Sequence, residues 1–168
     1  MSLVLVGTSH RLSPVEVRER VALDLAGAAE LARRTAGGGE AVCLSTCNRT
    51  ELYLVDVDPE AAEERASKVL LDDQVELYRM TDEAAALHLF RVAAGLDSLV
   101  PGEGEILGQV RLAHELGTVG PFLDRVLRQA LHAGRKVRAD SRSSDSSGGS
   151  LSRSNPVSRC LRRRSCQR

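Results

Sequence analysis

Two apolar rhythms alternate along the first half of this chain. Leu3-Val4-Leu5-Val6 is apolar at every position, β-branched at two and closed by Gly7, which predicts a short buried strand. The runs from Glu40 to Ser45 and from Glu51 to Val57 predict two more, separated by a polar turn at Cys47, and Gln74 to Arg79 predicts a further one. Helical spacing fills the intervals. Ser13-Pro14-Val15-Glu16 has the form of a capping box with Pro at the first helical position, so a helix is expected from there to about Leu23. A second spans about Ala26 to Thr35 and stops at Gly37-Gly38-Gly39, and Asp58-Pro59 caps a third through about Leu71.

From Thr81 onward the pattern is helical only. Thr81 as N-cap, Asp82 and Glu83 at the positive end of the dipole and Gly95 just past the last turn define one helix. The turn Pro101-Gly102-Glu103-Gly104 leads into another from about Glu105 to Leu116. Pro121 opens a long third helix, whose apolar stripe is read as Phe122, Val126, Ala130 and Val137. At about Asp140 the periodicity stops; Ser141 to Arg168 holds ten Ser, no apolar run and the cluster Arg162-Arg163-Arg164, so it is expected to be disordered. The expected architecture is α+β: a small mixed sheet with helices over residues 1–80, a helical subdomain over 81–139, and a disordered C-terminal tail over 140–168.

Composition sharpens this picture in three ways. Aromatic residues make up only 2%, so the core must be built from Leu, Val and Ala. No run of about 18 apolar residues and no charged-then-apolar leader is present, so no membrane association is expected and the cytoplasm is the expected location. Cys43, Cys47, Cys160 and Cys166 match neither a disulfide framework nor paired zinc ligands, which predicts reduced thiols and no metal site. The net charge of zero conceals +5 in residues 140–168 against −5 in 1–139. Because that basic excess sits in a Ser-rich tail, it reads as a solvated charge run, with an RNA-binding arm as the sharper alternative.

The candidate chemistry centres on Ser45-Thr46-Cys47-Asn48-Arg49-Thr50-Glu51. A turn cannot bury its own backbone polar groups cheaply, so the Cys47 thiol is expected to be reachable. Cys43, inside Ala41-Val42-Cys43-Leu44, is expected to be buried and inert. An unpaired Cys is either an inert small residue or a nucleophile, and exposure with a lowered pKa decides which; Arg49 near the sulfur would favour the thiolate. His88, between Leu87 and Leu89, and His10, after the first strand, have structural readings beside functional ones. Gly102-Glu103-Gly104-Glu105-Ile106-Leu107-Gly108 does not fit a dinucleotide fingerprint: its third Gly is one place late, no strand precedes it, and its carboxylates would repel a pyrophosphate. It is read as a helix-opening turn that offers Glu103 and Gln109 to a ligand.

Taken together, Gly7-Thr8-Ser9-His10, Pro14-Val15-Glu16-Val17-Arg18-Glu19, Leu44 through Tyr53, His88 through Val100 and Gly102 through Arg111 resemble the N-terminal catalytic domain of glutamyl-tRNA reductases. The resemblance covers about residues 3 to 138 with its motifs in the family's order. It implies NADPH-dependent reduction of glutamyl-tRNA(Glu) to glutamate-1-semialdehyde, the first step of five-carbon tetrapyrrole (porphyrin, heme) biosynthesis. By the same resemblance Cys47 is the nucleophile that forms a glutamyl thioester, and His88 is the activity-linked histidine that assists proton transfer. Thr46, Asn48, Arg49, Ser98, Glu103, Gly104, Glu105 and Gln109 are the substrate-binding positions, with Arg49 gripping a glutamate carboxylate. Implied partners are the tRNA, a second copy in a homodimer, and glutamate-1-semialdehyde aminotransferase as recipient of the product.

The chain also departs from the family. Glu105 stands where Gln is frequent, and Arg111 to Val119 is several residues shorter than usual. The family's NADPH-binding and dimerisation domains find no counterpart in this sequence, and the abrupt shift to Ser and Arg is what a frameshift in a GC-rich gene would give. The chain as written is therefore expected to begin the reaction at Cys47 without completing the reduction; the alternative is a non-catalytic module that binds tRNA or a partner.

Overall fold

The computed structural model describes residues 1–70, 75–98 and 105–146. Its sheet has four strands, β1 (Ser2–Ser9), β2 (Glu40–Thr46), β3 (Arg49–Asp56) and β4 (Tyr78–Thr81), in the order β2-β3-β1-β4. The α+β class is as expected, but every neighbouring pair of strands is antiparallel rather than mixed. The reason lies in the connections. Helices α1 (Val15–Val21) and α2 (Leu25–Thr35) bring the chain back so that β2 runs parallel to β1, and the tight return of β3 then inserts between them. The two inner strands, β3 and β1, are buried along nearly their whole length, which explains why Leu3 to Val6 and Leu52 to Val55 are apolar without alternation.

Each sheet face carries its own helical layer. Val4, Val6, Cys43, Leu52 and Leu54 pack under Ala28, Ala32 and Ala36 at α2 and under Ala62, Ala66 and Leu70 of α3 (Pro59–Leu70). On the other face Leu3, Leu5, Val42, Leu44, Tyr53 and Val55 meet α4 (Asp82–Ala93), α5 (Glu105–Leu116) and α6 (Pro121–Ser146). Small residues let these helices approach closely: a Cβ on Gly134 of α6 would lie 2.5 Å from the Ala93 carbonyl oxygen of α4. Glu40, at the start of β2, caps α6 from a distance. Its carboxylate accepts the Gly120, Phe122 and Leu123 N–H groups at 3.0, 3.2 and 2.7 Å.

Several expected boundaries hold, and the exceptions have local causes. Asp58 caps α3 as expected by accepting from Ala61, and Gly95 adopts φ 75° after α4; α2 has a cap the sequence reading did not name, Asp24, which accepts from Gly27. Ser13 does not cap α1; its hydroxyl is 3.0 Å from the buried Thr8 hydroxyl and pairs there instead. The last strand starts at Tyr78, not Gln74, because its pairing partners in β1 run only from Val4 to Gly7; Gln74 itself lies outside the described residues. Thr81 makes no side-chain cap, and Asp82, at φ 46°, holds the Leu3 N–H with its carboxylate. The stripe of α6 that enters the core is Leu123, Leu127, Ala130 and Leu131; of the expected stripe, Ala130 is buried there, Val126 packs against it, and Phe122 and Val137 are exposed. That helix also continues past Asp140 to Ser146, while the rest of the expected tail lies outside the described residues. No helix among the described residues is long and apolar enough to cross a membrane.

Candidate active site

Cys47 and Asn48 are the two residues between paired Thr46 and Arg49, so β3 begins two residues earlier than its apolar run indicated. Neither takes a positive φ, and the turn is held by a side chain: the Thr46 hydroxyl accepts the Asn48 and Arg49 N–H groups at 3.1 and 3.2 Å. The loop after β1 clamps it from outside, since the His10 N–H donates to the Asn48 carbonyl at 2.9 Å. The backbone is thus tied down while the Cys47 side chain is exposed. Cys43 is 4% exposed, and burial, then the charge of Glu51, pushes its thiol up to about 12. The two sulfurs have opposite settings, as expected from the sequence.

Beneath the hairpin lies a buried polar network. Arg49 and Glu51 project from the same face of β3, with side chains 2% and 0% exposed. Arg49 donates through Nη1 to Glu51 at 3.0 Å and through Nη2 to the Asp97 carbonyl at 2.6 Å, and its buried Nε has no partner. Glu51 accepts from Tyr53 at 2.7 Å, from Tyr78, and from His88 Nε2 at 2.8 Å. Burial alone would push the Glu51 carboxyl up; the His88 hydrogen bond, the Arg49 charge and the Tyr78 hydroxyl together outweigh it and hold the carboxyl at about 2. The same ionised Glu51, added to burial, drives both tyrosine hydroxyls well above their ordinary value.

An ionised Glu51 can only accept, so the His88 proton facing it sits on Nε2. The other ring nitrogen lies 3.7 Å from the Asp97 carboxylate, which also receives Arg11 at 2.8 Å and Arg91 at 3.5 Å. Across the sheet, Gly7 pairs with Glu51, and a Cβ there would lie 2.8 Å from both Glu51 Cγ and the Thr50 carbonyl oxygen. Only the missing side chain leaves room for the carboxylate.

One cleft collects most of the expected site residues. Thr46, Cys47, Asn48 and Arg49 from the hairpin line it together with Ser98 and with Glu105, Ile106 and Gln109 from α5. Glu103 and Gly104 fall outside the described residues. His88 does not line the cleft; it is one layer below, 11% exposed and turned toward Glu51. Sequence reasoning did not single out Glu51, Tyr53, Tyr78, Asp97 or Arg11 as parts of one network. A signal for the first two was present, because a carboxylate and a phenol two residues apart in an otherwise apolar run must share a buried face. Among the described residues no group of three or more His, Cys, Asp or Glu side chains could hold a metal ion.

Comparison with known proteins gives a consistent set of relatives. The family described as glutamyl-tRNAGlu reductase, N-terminal domain, matches residues 6–141. A glutamyl-tRNA reductase of Rubrobacter xylanophilus is 47% identical over 88% of this chain and 38% of its own length. One from Deinococcus radiodurans is 46% identical over 86% of this chain and 43% of its own. The solved glutamyl-tRNA reductase from Methanopyrus kandleri superimposes with a TM-score of 0.65 at 34% identity, covering 82% of this chain and 34% of that one. The chain therefore spans less than half the length of each of these relatives.

Proposed function

The chain belongs to the glutamyl-tRNA reductase N-terminal domain family, and on that premise we propose that it performs the acyl-transfer half of glutamyl-tRNA reduction, with Cys47 as nucleophile. The observation that carries the reading is the exposed Cys47 at the tip of a pinned hairpin, in one cleft with Thr46, Asn48, Arg49, Ser98, Glu105 and Gln109. The Cys47 thiolate attacks the carbonyl carbon of the glutamyl ester, the carbon–oxygen bond breaks, and the tRNA 3′ oxygen leaves with a proton from solvent. The products are a glutamyl thioester on Cys47 and free tRNA. Arg49, with its Nη groups bonded to Glu51 and the Asp97 carbonyl, is buried behind the cleft and braces its wall in place of the expected grip on the substrate's carboxylate. The exposed Glu105 carboxylate at the opening of α5 complements its α-ammonium group.

In the full family reaction NADPH supplies hydride to the thioester and releases glutamate-1-semialdehyde. The described residues do not fit that cofactor: the sheet is antiparallel throughout and offers no strand–turn–helix phosphate cradle. Completing the reduction requires nucleotide-binding residues beyond those described. A homodimer, transfer of product to glutamate-1-semialdehyde aminotransferase and a cytoplasmic location belong to the same reading at the level of the longer relatives.

His88 and Glu51 serve the site by position in this reading. With Nε2 bonded to Glu51, His88 braces the carboxylate that in turn braces Arg49. The test is to incubate the 168-residue chain with glutamyl-tRNA, quench in acid and map acylation by mass spectrometry. Acylation of the Cys47 peptide, lost with deacylation in Cys47→Ser while tRNA binding persists, is the expected result. Intact tRNA binding with no deacylation above the buffer rate would replace this reading with that of a binding module.

A further inference from the structure

The antiparallel sheet leaves β2 as an open edge beside the cleft. Ala41 turns its N–H and C=O outward to Thr118, at 2.8 and 2.9 Å. Alternation along an antiparallel strand places the N–H and C=O groups of Cys43 and Ser45 on that same edge, where no described residue bonds to them. A cavity of about 290 Å³ covers them, walled on one side by Ala28, Ala29 and Ala32 of α2 and on the other by Leu112, Ala113 and Leu116 of α5. That is near the small end of ligand pockets, which run from roughly 300 Å³.

The cavity and the Cys47 cleft are consecutive stations on one seam. Gln109 lines both; along α5 the cleft takes Glu105 and Ile106 and the cavity takes Leu112, Ala113 and Leu116, while along β2 the cleft takes Thr46 and the cavity takes Cys43 to Ser45. At about 3.3 Å per strand residue, the Ser45 N–H lies roughly 7 Å along the strand from Cys47. A slot between two small-residue helix faces suits a flat ring. An acceptor on Cys43 and a donor on Ser45, side by side at its floor, suit a ring edge with one donor next to one acceptor.

We propose that this cavity is the subsite for the terminal adenine of the aminoacylated nucleic acid. The amino group of the base donates to the Cys43 carbonyl, N1 accepts the Ser45 N–H, and the ribose spans from the cavity to the ester at Cys47. The inference deepens the glutamyl-tRNA reading and rests on it, but binding of the base is measured without any ester, so the two can fail separately.

The test titrates the intact ¹⁵N-labelled chain with adenosine, inosine and NADPH and follows backbone amides by NMR. Inosine reverses the donor and acceptor on that edge of the base. Adenosine should shift the Ser45 amide and its neighbours, and inosine should bind roughly 10- to 100-fold more weakly because it leaves both edge groups unmatched. Ala29→Phe, which fills the slot from α2, should weaken adenosine to a similar extent. Equal binding of adenosine and inosine, adenosine binding that ignores Ala29→Phe, or no adenosine binding would each overturn the subsite. NADPH binding the same amides more tightly than adenosine would assign the adenine to the cofactor and overturn the acceptor-end assignment.

Discussion

Replacing Glu51 by Gln tests whether the network under the hairpin depends on charge or only on shape. The amide is nearly isosteric, and with its oxygen at the Arg49 and His88 side it can donate to the Tyr53 hydroxyl. What it removes is the counter-charge of Arg49, whose side chain is 2% exposed. Depriving a buried ion pair of one partner costs roughly 3–5 kcal/mol. The carboxyl's own titration gives an independent magnitude. Its pKa falls from 4.5 to about 2 on folding, and a depressed carboxyl pKa contributes stability that is present above 4.5 and lost as pH falls toward 2. The whole contribution is about 3 kcal/mol, of which about 2 kcal/mol disappears between pH 6 and pH 3.

The assay is urea unfolding of parent and Glu51→Gln at several pH values from 7 to 3, followed by far-ultraviolet circular dichroism. The variant should be about 3 kcal/mol less stable at pH 7, and the gap should narrow by about 2 kcal/mol at pH 3 as the parent's unfolded chain, with its ordinary carboxyl, takes up the proton that folding expels. Parallel curves with a constant gap would mean that the loss is one of packing. A variant as stable as the parent at pH 7 would refute the claim that Glu51 compensates Arg49.

The remaining predictions concern the sulfurs and the scaffold. At pH 7.5 iodoacetamide should modify Cys47 in the folded chain while Cys43 reacts only on unfolding, as read by peptide mass mapping; labelling of Cys43 in the native chain would contradict its burial. Glu40→Ala should cost about 1–2 kcal/mol by orphaning the N–H groups at the start of α6, measured as a fall in urea midpoint. Gly7→Ala should cost about 1–3 kcal/mol, and its unfolding should be less pH-dependent because it displaces the Glu51 carboxylate.

How much of this was legible in the sequence depends on whether the deciding partner was near in the chain. Asp58 and Gly95 are legible in the sequence because a cap is satisfied within four residues. The separation of Cys43 from Cys47 was legible for a similar reason, one lying inside an apolar run and the other at its end. Ser13 was misread because its competitor, Thr8, arrives only through the turn after β1. Of the α6 stripe, Val126 and Ala130 are legible but Leu123 and Leu127 are not, because Phe122 with Val126 and Leu123 with Leu127 offer two apolar faces one residue apart, and only the docked elements select between them. The network escaped for the same reason: Glu51 meets Tyr78 and His88, 27 and 37 residues away, once β4 and α4 have packed on the sheet.

That long-range character bears on what the network does for the hairpin. The Thr46 hydroxyl and the His10 N–H hold the tip of the hairpin, but neither ties it to the far wall of the cleft. Arg49 does so by tying the first residue of β3 to the Asp97 carbonyl, next to Ser98 at the far wall of the cleft. Glu51 fixes Arg49, and Tyr53, Tyr78 and His88 fix Glu51, so one hydrogen-bonded network joins the two walls of the cleft. Buried charge is a poor source of net stability, since hydrophobic side chains of the same volume could pack as well. Its advantage here is directional: hydrogen bonds fix where each side chain of the network sits, which an apolar core would leave to slide.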